Sequence, residues 1–420
     1  MSLELILTVL FAALAAVHIV AIAIFLLPAR RMGKSTYTPP VSIIIPAHNE
    51  ARFIAATIQS ILNADYPSKK EVLVIDDGSS DETAEIVKAL SRKNKAVRLF
   101  SIPHSGKAKA LNYGLEKARF ETVVCMDADS SIEKQSLLAL VQPLADPKTG
   151  ASSGAIRVKY NGLFTWFQDI DYIVSSGWRH ICSKLNSTYV TPGFAAFKKS
   201  ALEKIHGFSN DTLTEDIDVT IRLRKAGFHA VMSRAVIHTA APSSLTGLVK
   251  QRIRWGRGSM QVAKKHSDIL FSRSLNFIGN YAFPMHLFWY AFALMYIPFA
   301  VYWFVGNFIS QPLSLASVEL LAKWFTIYGI ADVVVNILTG AYALTALMSA
   351  IILSWLFSFL YLLLNMARFG FTWRTLVAYL FIFPYYWLLL AVQAVVLVAE
   401  SSSSKRVTNK WNKNEGNVVE

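Results

Sequence analysis

The sequence predicts an α/β domain built on a doubly wound parallel sheet, combined with an α-helical transmembrane region. Three observations carry that reading. Short apolar runs alternate with helically spaced segments over roughly residues 38–130, the pattern of strand–helix–strand units. Turns rich in Asp, Gly and Ser follow those runs, at the edge where a parallel sheet receives its ligands. Finally, Leu5–Leu27, Ser274–Val318, Val333–Ala367 and Thr375–Ala399 contain no Asp, Glu, Lys or Arg, and a membrane-spanning helix needs only about 20 mostly apolar residues. The 420 residues are 53% hydrophobic and only 17% charged, too apolar for one soluble domain.

Residues 1–34 read as an N-terminal transmembrane anchor, because the apolar run is too long for a signal-peptide core and no small-residue cleavage site precedes Pro28. Arg30, Arg31 and Lys34 follow it and predict a cytoplasmic location for the next segment. Residues 35–273 form that segment. VSIIIPAHNE (41–50) opens with a continuous apolar run typical of a buried parallel strand. Residues 52–64 show helical spacing. EVLVIDDGSSDE (71–82) repeats the pattern, with a helix over about 82–91. VRLFSI (97–102) is a third strand, 107–118 a third helix and TVVCMDADS (122–130) a fourth strand. Neither GxGxxG nor GxxxxGK[ST] occurs, which disfavours a dinucleotide fold and a P-loop.

Residues 274–399 predict a helical membrane region of about four spans or re-entrant helices, near 283–307, 320–342, 344–366 and 375–398. Residues 400–420 are a polar tail expected in the cytoplasm. Four spans leave Arg368 and Arg374 facing outward, a conflict that a re-entrant piece near 318–342, with Lys323 and Asp332, would remove. The expected location is the cell (plasma) membrane. The net charge of +14 suits contact with anionic membrane lipids or handling of anionic substrates. No dense basic block suggests nucleic acid as a partner. Cys125 and Cys182 predict neither a disulfide nor a zinc site.

Three acidic clusters fall where a parallel sheet would bring them together. Asp76 and Asp77 follow the second strand, Asp127 and Asp129 the fourth, and Glu215 and Asp216 open a helix behind Thr214, the expected N-cap. Acidic first turns are also ordinary helix-dipole partners, and an isolated Asp-x-Asp is commonly a surface loop. Carboxylates this close are tolerated when a cation bridges them, and hard oxygen ligands indicate Mg2+ or Mn2+. Further on, Gln251, Arg254 and Trp255 in QRIRWGRG share a helix face. Arg suits phosphate oxygens and Trp the face of a sugar ring, although the same composition suits a helix at a lipid interface.

In this order, and flanked by apolar spans, VSIIIPAHNE, VIDDGSSDET, GKAKALNYG, MDADS, TEDIDVTIRLRKAGF and QRIRWGRG resemble a membrane-integrated family 2 glycosyltransferase. The similarity is to the processive polysaccharide synthases, those of cellulose, hyaluronan, chitin and poly-N-acetylglucosamine, and covers residues 38 to about 260. It implies a glycosyltransferase-A-type, Rossmann-like cytoplasmic domain. Asp76, Asp77, Lys107, Asp127 and Arg254 would then hold a UDP-sugar, with Asp127 and Asp129 at the metal and Asp129 its direct ligand. Asp216 would be the general base, and Glu215, Gln251 and Trp255 would bind the acceptor. Asp218 is left as structural.

The implied activity is an inverting, metal-dependent, processive transfer from a UDP-sugar, foremost UDP-N-acetylglucosamine, into a β-linked polysaccharide passed across the membrane. A single transfer to a lipid acceptor, as in ceramide glucosyltransferases, stays open. A non-enzymatic sugar-binding or transport protein fits the ordered motif set poorly. One departure stands out: the Cys/Gly/Ser/Thr-rich acceptor turn of such synthases corresponds to TPGFAAFKK (191–199), with apolar Phe194, Ala195 and Ala196.

Overall fold

The computed structural model describes residues 3–28, 37–184, 188, 193–272, 279–280, 283–309 and 314–402. Arg30, Arg31, Lys34 and the tail beyond residue 402, on which the expected orientation rests, lie outside the described residues, as do Thr191 and Pro192 of the expected acceptor turn. The chain divides into two compact units, one made of Met1–Pro28, Gly162–Trp178 and Met285–Ser401, the other of Ala29–Asn161, Arg179–Pro284 and Ser402–Glu420.

The second unit is built on a sheet that has eight strands among the described residues. Its strands are β1 (Val41–Ala47), β2 (Lys70–Asp77), β3 (Val97–Ile102), β4 (Thr122–Met126), β5 (Ser130–Ile132), β6 (Thr149–Val158), β7 (Phe194–Lys198) and β8 (His229–Thr239). Their order is β3-β2-β1-β4-β7-β6-β8-β5. The first four are mutually parallel, as the apolar runs predict. Beyond β4 the sheet becomes mixed, with β7 antiparallel to both β4 and β6. The β7 strand is the segment read from sequence as an acceptor turn. Phe194, Ala195 and Ala196 are fully buried there, so their apolar character reflects a strand in the sheet's middle. Pro46 is tolerated in β1 because the β1–β4 ladder ends at Ile44 opposite Cys125.

Alternation along the strands divides the core between two faces. Ile43 and Ile45 of β1, with Val72 and Val74, pack against α2 (Ile54–Leu62) through Ile54, Ile58 and Ile61. The predicted helix over 52–64 is thus trimmed at both ends. On the other face Ile44, Leu73, Ile75 and Cys125 meet α4 (Lys107–Lys117). Gly114 of α4 lies so close to Ile44 that a Cβ would collide. The helix α3 (Thr83–Lys93) flanks β3, while α5 (Ser136–Val141), α7 (Lys199–Lys204), α8 (Glu215–Lys225) and α9 (Leu245–Lys265) complete the unit. Because β2 and β4 both pair in parallel with β1, their C-terminal ends, carrying Asp76–Asp77 and Asp127, open on the same sheet edge.

Among the described residues, the first unit contains four helices long and apolar enough to cross a membrane: α1 (Leu3–Leu26), α10 (Phe283–Phe304, through Leu287–Phe304), α13 (Ala346–Phe369) and α15 (Ile382–Ser402, through Ile382–Glu400). The helix α6 (Phe164–Lys184) contributes its residues up to Trp178. The piece near 318–342, read from sequence as a span or a re-entrant helix, is a pair, α11 (Leu315–Phe325) and α12 (Tyr328–Leu338), bent by 100°. Thr326 adopts an extended backbone that stops α11, the Ile327 N–H donates to the Leu380 carbonyl, and Lys323 pairs with Asp332 across the break at 3.1 Å. Hydropathy is blind to such a break. The short helix α14 (Trp373–Leu380) precedes α15.

Candidate active site

The site is assembled at the strand C-termini. Gly78, at φ +69°, turns the chain sharply after β2, and a Cβ there would lie 2.8 Å from the His104 nitrogen. That close approach lets Asp77 organise the turn opening α4. Its Oδ1 accepts the Ser105 N–H at 2.7 Å, and its Oδ2 accepts the Gly106 N–H at 2.9 Å and meets His104 Nδ1 at 3.1 Å. Asp77 is fully buried, with both carboxylate oxygens engaged in this turn. Asp76 accepts the Ser79 N–H at 3.1 Å. Asn49 pins the other side, its Oδ1 accepting from the Ser80 N–H at 2.7 Å.

The turn delivers Lys107, whose ammonium bridges Asp127 Oδ1 at 2.7 Å and Glu215 Oε1 at 3.1 Å. One cation thereby links three of the sequence motifs. Burial alone would lower the ammonium's pKa, but Asp127 and Glu215 outweigh it and hold the pKa above its ordinary value. Glu215 is buried against this lysine. The link joins α4, the end of β4 and α8, and no local sequence pattern announces it.

Asp216 occupies the first turn of α8. Burial, and then repulsion from Glu215, push its carboxyl up to about 7, with the Ile217 N–H and Lys107 only partly offsetting them. Its Oδ1 accepts that Ile217 N–H at 2.9 Å. Buried Arg179, its guanidinium lowered by burial to about 10, feels the Asp216 charge as its one opposing attraction. Thr214 stands at the N-cap position but its side chain caps nothing; its Oγ1 is buried without a hydrogen-bond partner. The expected cap is therefore absent, and Thr214 packs against Gly258 of α9 instead. Asp218, fully buried, accepts from Arg222 at 2.6 Å, Lys265 at 2.7 Å and His266 at 2.9 Å. Burial would raise its carboxyl, but hydrogen bonds from His266 and Lys265 and the Arg222 charge outweigh it and hold the pKa well below the usual range.

The α9 helix begins with a true cap, Ser244 accepting the Gly247 N–H, and carries QRIRWGRG. Arg254 is exposed and Gln251 and Trp255 are half-buried. Gln251 Oε1 is buried without a hydrogen-bond partner, while Arg252 stacks over the Trp255 ring at 4.5 Å. Residues that the sequence did not single out also belong to the setting. Arg179 and Gln261 are examples, the latter accepting the Leu213 N–H at 2.9 Å.

A divalent cation is compatible with the acidic residues at the end of β4. Asp127 uses Oδ1 on Lys107, and its Oδ2 points toward Gly193, where a Cβ would come within 3.2 Å. Asp129 Oδ1 receives Ser130 and Thr239 hydroxyls at 3.2 and 3.3 Å, and its side chain is nearly buried. No group of three or more His, Cys, Asp or Glu side chains suited to a metal occurs among the described residues. Two carboxylates completed by substrate phosphates and water are the usual donor set for Mg2+, so the residues fit.

Residues 42–206 match the family described as Glycosyl transferase family 2. The poly-beta-1,6-N-acetyl-D-glucosamine synthase of Staphylococcus epidermidis is 32% identical over 230 residues, covering 53% of this chain and 55% of that protein. The synthase of the same description from Staphylococcus aureus (strain COL) is 31% identical over 231 residues, with the same coverage. The chain thus spans about half the length of the relatives it matches. Among solved structures, a mannosyltransferase from Pyrobaculum calidifontis in complex with GDP-Man and Mn2+ superposes with a TM-score of 0.59 at 24% identity, over 86% of this chain and 98% of that one. That likeness shows the glycosyltransferase-A-type fold.

Proposed function

We propose that this chain, whose residues 42–206 match glycosyl transferase family 2, is a membrane-embedded polysaccharide synthase that transfers N-acetylglucosamine from UDP-N-acetylglucosamine to a growing β-linked chain, with inversion. The observation that carries the reading is Asp216. A carboxyl held at about 7, at the start of a helix and beside the Lys107 bridge, is poised as a general base near neutral pH. The choice of sugar is supported by the descriptions of the Staphylococcus relatives.

Asp216 takes the proton of the acceptor hydroxyl as that oxygen attacks the anomeric carbon. The bond from that carbon to the diphosphate oxygen breaks on the opposite face, and UDP leaves with the electron pair. Lys107, kept cationic by Asp127 and Glu215, faces the region where the leaving group gains charge. Arg254 adds donors for the diphosphate and Trp255 a face for the acceptor sugar. Gln251 offers its unpartnered Oε1 to an acceptor hydroxyl. Asp77 contributes by holding the turn that presents Lys107, and Asp76 by shaping the nucleotide end. Asp129, with Asp127, would hold Mg2+ or Mn2+, which when bound neutralises charge on the diphosphate. The four long apolar helices provide the membrane anchorage through which a polymer would be extruded, with the catalytic unit in the cytoplasm.

The test uses the full chain in lipid, offered radiolabelled UDP-N-acetylglucosamine, UDP-glucose and GDP-mannose in parallel with Mg2+ or Mn2+. Expected is a high-molecular-weight product from UDP-N-acetylglucosamine alone, degraded by a hydrolase specific for poly-N-acetylglucosamine. A short lipid-extractable product would replace the processive reading with a single transfer to lipid.

A further inference from the structure

We propose that α9 sets the position of Asp216 through two residues, Gln261 and Gly258, which grip Leu213 and Thr214 immediately ahead of it. This inference rests on the reading of Asp216 as the base. Helix α8 has no N-cap side-chain bond ahead of its first turn, because Thr214 supplies no cap and its Oγ1 is unpartnered. The fixing comes from outside. Gln261 Oε1 accepts the Leu213 N–H at 2.9 Å, a donor just ahead of the helix. One turn earlier on the same face of α9, Gly258 meets Thr214 so closely that a Cβ would stand 2.5 Å from its Cγ2 and 2.9 Å from its backbone nitrogen. Only glycine permits that approach.

A turn beyond Gln261, Lys265 reaches Asp218 at 2.7 Å and Asp211 at 2.8 Å, and His266 reaches Asp218 at 2.9 Å. Successive turns of α9 thus touch 213, 214 and 218, bracketing Asp216 in sequence. The helix that does this also carries Gln251, Arg254 and Trp255. One rigid element therefore ties the position of the base to the residues assigned to acceptor and diphosphate. Gln261 and Gly258 are positioning residues: neither needs to touch substrate.

Three variants of the full chain, assayed in lipid nanodiscs at pH 8.5 so that Asp216 is ionised, test this. Gln261→Leu and Gly258→Ala are expected to lower kcat roughly tenfold to a hundredfold, as a misplaced reacting group does, with the KM for UDP-N-acetylglucosamine little changed; Gly258→Ala, which must push Thr214 aside, also lowers the thermal midpoint. Gln261→Glu, which keeps an acceptor oxygen for the Leu213 N–H, is expected to retain most of kcat. Unchanged kcat in both Gln261→Leu and Gly258→Ala would overturn the proposal. So would a Gln261→Glu variant as slow as Gln261→Leu, or a loss confined to KM. Asp216→Asn separates the layers. If it turns over normally, the base reading itself fails; if it is inactive while the two α9 variants are normal, only the positioning claim fails.

Discussion

Replacing Asp216 with Asn should make the protein more stable at alkaline pH while abolishing its activity. A carboxyl whose folded pKa lies at about 7, against an ordinary 3.8, holds its proton more tightly folded than unfolded. Stability from this group therefore falls as pH rises from about 4 to about 7, and the penalty is complete above that. The ceiling is about 4 kcal/mol, from roughly three pH units at about 1.36 kcal/mol each. Asp216 is only half-buried by exposed area, so solvent screening brings a realistic figure to about 2 kcal/mol. For a catalytic unit of this size that corresponds to roughly 4–8 °C in thermal midpoint. The assay is a thermal melt of parent and Asp216→Asn in nanodiscs, without divalent cations, at pH 8.5 and pH 4.5. Asn should raise the midpoint at pH 8.5 and raise it only about a quarter as much at pH 4.5, just above the ordinary carboxylate value. Equal midpoints at pH 8.5, or a gain of the same size at both pH values, would refute the claim that this position carries a suppressed charge.

The acidic limb of kcat against pH should have its midpoint near 7, since the base must be ionised; Glu215→Gln, removing the repulsion that ranks after burial, should move that limb to lower pH, and a limb that stays in place would assign it to another group. Lys107→Met leaves the Asp127 and Glu215 carboxylates facing each other without their cation, so a loss of about 3 kcal/mol in stability is expected from melts, together with an alkaline shift of the same limb. Chelation should abolish turnover reversibly, and Asp129→Asn should raise the Mn2+ or Mg2+ concentration needed for half-maximal rate by about tenfold or more; an unaltered metal titration would remove Asp129 from the cation site.

The parallel half of the sheet was legible because its signals are local: VSIIIPA and KEVLVIDD are buried on both faces and end in acidic turns. The mixed half was not. β6 is rich in Gly, Ala and Ser, and β7 is only five residues long, so neither has the bulk or alternation that marks a strand. Asp216 could be singled out from the order of the motifs. Its electrostatic setting could not, because its burial is a product of the tertiary fold and Lys107 and Arg179 act on it from elements far apart in sequence. The missing Thr214 cap has the same origin. Sequence favours a capping threonine there, but tertiary contact with Gly258 turns the side chain to packing. In the apolar unit, span-sized hydrophobicity was readable, whereas the 100° bend depends on the backbone at Thr326 and on a bond to Leu380.

The most direct measurement compares parent and Asp216→Asn in the same lipid preparation, recording both UDP-N-acetylglucosamine binding and polymer formation in the presence of Mn2+. Asp216 as general base predicts that the variant binds the donor with an affinity close to the parent's and forms no polymer at any pH. Polymer formation by the variant at a rate near the parent's would contradict it.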